Sequence, residues 1–286
     1  MTSSTRSLLI AAVAFLCYLM VLSPFTALMR GRSATAKIGF VPNAKFIRLV
    51  SADQKELLGA SLVMKALMYF GGFSVYAAND KLPEAPDYPG MSRVVHAALK
   101  LDPYNMDGYY FAQAFLVWDA GQVKVANDLL EYGMKYRTWD WYLPFFAGFN
   151  YAFFLKDYAN AAKCYKAAAD LSSQDLHISL AGRYIQESGQ TQLAIKYLKT
   201  IIESTTNETF KKSLETRLEA FEEVDRIEVA RDRYRAENGK LPGSVEELLG
   251  AGYLKTRPVD PYGGRFYLEP DGKVATTSKF AFGARK

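Results

Sequence analysis

The side chains that could do chemistry are few and scattered. The 286-residue chain holds two histidines, His96 and His177, and two cysteines, Cys17 and Cys164. The histidines stand far apart, and neither belongs to a His-Glu-x-x-His pattern that would put two imidazoles on one helical face around a metal. Cys17 lies in an apolar run and Cys164 at a helical position among alanines. The pair outlines neither a zinc spacing nor a disulfide framework, and Cys164 reads as a small buried side chain. Glu222-Glu223 and Glu246-Glu247 are adjacent carboxylates, which do not share a helical face. No phosphate loop, nucleophile elbow or dinucleotide glycine pattern occurs. Asp260 and Asp271 remain as hard oxygen ligands of the kind calcium takes, although each also suits a plain turn. The sequence therefore predicts no catalytic residue, no metal ligand set and no cofactor.

The other concentration of chemistry is aromatic. Phe111, Phe115, Trp118, Tyr142, Phe145, Phe149 and Phe153 recur at helical spacing. Rigid rings of this kind hold a partner at low entropic cost. If the helices that carry them stack, all seven face one groove, with Arg183 and Glu187 as polar neighbours. The opposing expectation is a groove filled by the chain itself, through the segment from Lys37 to Phe73 or the long terminal helix. Trp139 and Trp141 could also mark an edge facing a membrane. A net charge of +5, with both signs mixed along the chain, gives no basic stripe and excludes a nucleic-acid partner.

The elements that must position these rings show a repeat. Tyr110 to Thr138, Trp141 to Leu171 and Ile178 to Ile202 can be laid over one another. Ala120-Gly121 and Ser188-Gly189-Gln190 mark turns between paired helices. Gly148, Ala161, Gly182 and Ala194 are small residues that let helices approach, and larger apolar residues three or four positions away fill the seam. An earlier partial copy ends in Ala98-Leu99-Lys100-Leu101-Asp102-Pro103. These residues resemble the tetratricopeptide repeat from about Met91 to Ile202. Gln113 and Gly133 depart from it, and the second copy carries one extra residue between its helices. The resemblance implies a solenoid of helix pairs that binds proteins and brings no catalytic residues.

Ser7 to Met29 is free of charge, with Arg6 before it and Arg30 and Arg32 after it. A helix of that length rises roughly 33 Å, enough to cross a bilayer. Ala34-Thr35-Ala36 fits a signal-peptide cleavage pattern, but the apolar run is longer than a signal core. An uncleaved single-pass anchor is expected, with the body exported from the cytoplasm, although the positive-inside rule by itself slightly favours the reverse. Ser51 to Phe73 reads as an amphipathic helix and Asp80 to Gly90 as a loop. Phe40-Val41-Pro42, Tyr69-Phe70-Gly71 and Tyr136 to Phe145 resemble parts of bacterial membrane-anchored repeat proteins of unassigned function.

Glu208 to Asn238 predicts one long helix, stopped by Gly239 and Pro242. Ser244 caps a short helix with Glu247 three residues on. Arg265 to Leu268 and Val274 to Thr277 predict a hairpin. The series Asn238-Gly239-Lys240-Leu241-Pro242, Gly252-Tyr253-Leu254 and Asp260-Pro261-Tyr262-Gly263 resembles the globular part of type II secretion pseudopilins, some of which bind calcium near this loop. The prepilin cleavage sequence is missing, so a pilin subunit is not implied.

The expected architecture is mostly α. It comprises an anchor (1–36), a membrane-proximal helix and loop (37–90), tetratricopeptide-like helical repeats (91–204) and a small α+β cap with a β-hairpin (205–286). The expected function is a non-enzymatic scaffold of the bacterial inner membrane that holds a protein partner in a secretion, pilus or transporter assembly. The alternatives are a calcium-binding or enzymatic module at the Asp-Pro-Tyr-Gly loop, and a structural subunit with a self-occupied groove.

Overall fold

A computed structural model describes residues 3–30, 38–40, 43–77 and 85–278. The cleavage-like Ala34-Thr35-Ala36, along with Arg32, Lys37, Val41, Pro42, Asp80 and Pro83, lies outside them. Among the described residues the chain is mostly helical, with twelve α-helices and one small sheet. It divides into two compact units, Met1–Phe111 and Ala112–Lys286. The segment from Met91 to Phe111, assigned by similarity to the repeats, falls in the first unit.

The first unit begins with α1 (Ser3–Arg30), which runs continuously through Pro24. Its stretch Ile10–Leu28 has a mean hydropathy of 2.1 and none of it is buried, so it is long and apolar enough to cross a membrane. Next come α2 (Ala44–Val50), a single 3-10 turn (Ala52–Gln54) and α3 (Lys55–Ala77). α4 (Tyr88–Leu101) starts earlier than expected. Pro89 and Gly90 fall in its first turn, where a missing N–H costs nothing, and Asp87 caps Gly90 N at 2.9 Å. α3 and α4 meet closely because Gly59 has no side chain. A Cβ there would lie 3.0 Å from Asp102 Cβ and 3.2 Å from Ala98 O.

The second unit is built by sequential packing. α5 (Met106–Ala114) leads into it and α6 (Val123–Met134) follows. α6 packs on α7 (Tyr142–Asn150), α7 on α8 (Tyr158–Ser172), α8 on α9 (Asp175–Glu187), α9 on α10 (Thr191–Ser204), and α10 on α11 (Glu208–Asn238). The small residues do what their size predicts. Gly148 sits over the Tyr165 ring, with an imagined Cβ 3.2 Å from it, and Gly182 meets Leu198 at 3.0 Å. Ala161 and Ala194 are fully buried.

α11 serves two cores. Phe210, Leu214 and Phe221 pack with Ile185, Ile195 and Leu198. Further along, Val224, Ile227, Ala230 and Tyr234 pack with Val245, Leu248, Leu254, Phe266 and Val274 of the carboxyl-terminal module. α12 (Val245–Gly250) is capped by Ser244, whose side chain accepts from Glu247 N at 3.1 Å. Glu247 reaches back to Gly243 N at 2.7 Å, one residue beyond the N-cap N–H that a standard capping box engages. β1 (Phe266–Leu268) and β2 (Val274–Thr276) pair antiparallel, with Phe266 opposite Thr276.

Candidate protein-interaction site

Two π-helical turns, Phe115–Asp119 and Tyr151–Leu155, end the helices begun by α5 and α7. A π turn holds one more residue than an α turn and occurs frequently at functional sites. Each turn leads to a left-handed residue, Gly121 (φ 64) after the first and Lys156 (φ 55) after the second, and Gly189 (φ 79) holds the same place between α9 and α10. At 156 the conformation falls on a lysine, where only glycine adopts it without cost. The Lys156 ammonium lies 5.2 Å over the Phe153 ring, a cation–π contact that offsets part of that cost.

The turns bring Trp118 and Phe153 to the surface. They are 62% and 54% exposed, so these two rings are open to a partner. Trp118 lies edge-on to Phe154 at 5.1 Å and tilted against Phe149 at 6.4 Å. Phe149 and Phe153 stack at 5.4 Å. Phe154 joins them, at 4.9 Å from Phe153. The patch is therefore Trp118, Phe149, Phe153 and Phe154, edged by Lys156. Phe154 escaped the sequence reading because consecutive residues on an α-helix point about 100° apart, yet Phe153 and Phe154 meet edge to face, as Phe145 and Phe146 do within α7. The adjacent Phe153-Phe154 pair was the available signal.

The remaining predicted residues do not join this patch. Phe115 is fully buried and Phe111 nearly so, and these two correct the expected groove. Facing the interior, they fill the core, and Phe111 meets Phe70 at 5.9 Å. Phe145 and Tyr142 belong to a second cluster at the start of α7. Phe145 contacts His177 at 4.8 Å, Tyr165 at 5.9 Å and Trp141 at 6.1 Å, and Tyr142 lies tilted against Phe146 at 4.3 Å. Trp141 also contacts His177, at 4.9 Å, whereas Trp139 of the same pair is 61% exposed. Arg183 lies over the Tyr184 ring at 5.4 Å.

His177 is buried, with Nδ1 2.6 Å from Ser172 Oγ. Burial holds its pKa below the ordinary 6.5. The neutral imidazole is the stable folded form, so this contribution is complete above pH 6.5 and is lost as pH falls through the folded value. The melting temperature should thus drop on acidification below pH 6.5, and part of that drop should vanish in His177→Phe. An equal pH response in both proteins would show that other groups carry it. Burial pushes the Cys164 thiol up to about 12, which leaves it protonated and inert at neutral pH. Asp260 accepts from Tyr262 N at 2.9 Å and from Thr276 Oγ1. Asp271 accepts from Lys273 N at 2.9 Å. Both therefore fold turns. Gly264 lies so close to Asp260 Oδ2 and Ser278 N, 2.5 and 2.6 Å from an imagined Cβ, that no larger residue fits. Among the described residues no group of three or more His, Cys, Asp or Glu is placed to hold a metal ion.

One open polar cleft of about 810 Å³ lies between the α9–α10 turn, α11 and the hairpin, and carries Glu187, Asp225, Glu228, Asp232 and Asp271. Lys273 ties Glu187 at 2.6 Å across its mouth, and desolvation raises the pKa of Glu228.

The sequence matches no protein-family model, and no curated protein is significantly similar to it.

Proposed function

We propose that this protein is a non-enzymatic scaffold, tethered to the bacterial inner membrane by α1, whose body holds a partner protein outside the cytoplasm. The observation that carries the binding role is the exposed aromatic patch of Trp118 and Phe153, displayed on two π turns. Aromatic anchors of this type dominate protein interfaces. Support for a repeat solenoid comes from the left-handed residues at 121, 156 and 189, which recur at about the 34-residue period of the tetratricopeptide repeat. The chain order of packing, each helix on the next, fits the same reading. The tether rests on the length and apolarity of α1. The placement outside the cytoplasm, and a role near a secretion, pilus or transporter assembly, rest on the pseudopilin-like residues of the carboxyl-terminal module.

The test is cross-linking of the full chain in its native membrane, comparing the wild type with a Trp118→Ala/Phe153→Ala variant. Both side chains are more than half exposed, so the variant should melt within a few degrees of the wild type. It should lose the cross-linked partner. Recovery of the same partner by both proteins would overturn the assignment. A carboxyl-terminal reporter active only in the cytoplasm would overturn the proposed side of the membrane and leave the binding role standing.

A further inference from the structure

α3 is apolar on two opposite sides. Gly59, Val63, Ala66 and Phe73 are buried, on the side where Gly59 meets α4. Half a helical turn away, at intervals of seven and four residues, Leu57, Met64 and Met68 share one face, and all three are exposed, Met68 by 70%. The hydroxyl of Ser61, beside them, is already given to Leu57 O at 2.8 Å. This corrects the expected amphipathic helix, because the second face is neither polar nor packed. A helix that is apolar all round belongs in a protein core or a membrane. α2 repeats the pattern. Phe46, Leu49 and Val50 are exposed, Leu49 by 81%, and an open cavity of about 520 Å³ separates Phe46 and Val50 from Leu58.

The sequence points to what covers this surface. From Arg30 to Arg48 it carries Arg30, Arg32, Lys37, Lys45 and Arg48, and no acidic residue. This basic run begins where the membrane-length helix α1 ends, and its last two cations lie within α2, among the exposed apolar residues. Basic residues interleaved with exposed Phe, Leu and Val, beside a membrane span, are the composition of a helix that lies in the headgroup region of a bilayer with anionic lipid. We infer that the α2–α3 face is a second membrane contact. α2 and the outer face of α3 lie along the bilayer surface, with Phe46, Leu49, Leu57, Met64 and Met68 among the upper acyl chains and Lys45 and Arg48 at anionic headgroups. α3 does not cross the membrane, because its other face is committed to α4. The inference rests on α1 being inserted.

Single cysteines report this in the full chain. In a Cys17→Ser/Cys164→Ser background, an environment-sensitive fluorophore is attached at Leu49→Cys or Met68→Cys, and the protein is reconstituted in phosphatidylethanolamine–phosphatidylglycerol vesicles. Native Cys17, labelled in a Cys164→Ser chain, monitors insertion of α1, and Lys166→Cys gives the water-exposed reference. Circular dichroism confirms that each variant keeps its helicity. The labels at 49 and 68 should lose most of their emission to lipids with a nitroxide near the headgroup. They should lose less to lipids with the nitroxide at the chain end, and little to iodide in the water. Four outcomes would overturn the inference. Iodide quenching equal to that at position 166 would mean an uncovered face. Protection from both lipid and iodide would mean that a protein, or the chain itself, covers it. Stronger quenching from the chain end than from the headgroup at position 68 would make α3 a second span. An unquenched label at Cys17 would remove the anchor itself, and the inference with it.

Discussion

Replacing Asn150 with leucine should destabilise the protein by about 4 kcal/mol, because it strands two buried amides at once. Asn150 has no exposed surface, and Gln113 and Asn127 are buried beside it. Gln113 Nε2 donates to Asn150 Oδ1 at 3.1 Å, and Asn150 Nδ2 donates to Gln113 Oε1 and to Asn127 Oδ1, both at 2.8 Å. The three residues come from α5, α6 and α7, so the network fixes the relative register of three helices. Urea denaturation measures the loss. The informative comparison is Gln113→Leu/Asn150→Leu. Removing both members of the reciprocal pair leaves only Asn127 stranded, so the double variant should be more stable than Asn150→Leu alone. A double variant that is weaker still would mean that the cavity and shape of this site, rather than polar satisfaction, set its energy.

Phe115 and Trp118, three residues apart on one π turn, should behave in opposite ways. Phe115 is wholly buried, and Phe115→Ala should cost about 4 kcal/mol through lost burial and the cavity left behind. Trp118→Ala should cost less than about 1 kcal/mol, since most of its indole already faces water. Thermal melts of the two variants separate core from binding surface without any knowledge of the partner. Equal losses would mean that Trp118 is a packing residue, and the proposed interaction patch would shrink to Phe153.

Local patterns in the sequence identify the elements well wherever one helix or turn decides the outcome. Apolar spacing and Gly239 define α11 with both ends correct, and Glu269-Pro270-Asp271-Gly272 specifies the hairpin turn, closed by Gly272 N to Glu269 O at 2.8 Å. Features that depend on distant partners are hidden. Gln113 looks like a defect in a repeat until Asn150, 37 residues away, answers it. The π turns have no periodicity of their own. Helical spacing marks Phe115 and Trp118 alike as apolar, and which of them is covered depends on neighbours the pattern does not contain. The two-faced character of α3 is hidden for the same reason, since a hydrophobic stripe reports what avoids water and not what replaces it.

α11 has a mechanical consequence. Its 31 residues make a strut roughly 46 Å long, gripped at one end by α9 and α10 and at the other by the hairpin module, with no glycine or proline between the grips. Arg231 Nη1 donates to Gly272 O at 2.8 Å, and Lys273 reaches across to Glu187, so the strut is braced sideways as well. Pulling on the hairpin would load α10 directly. The module and the helices before it should yield to force in a single step, as one mechanical element.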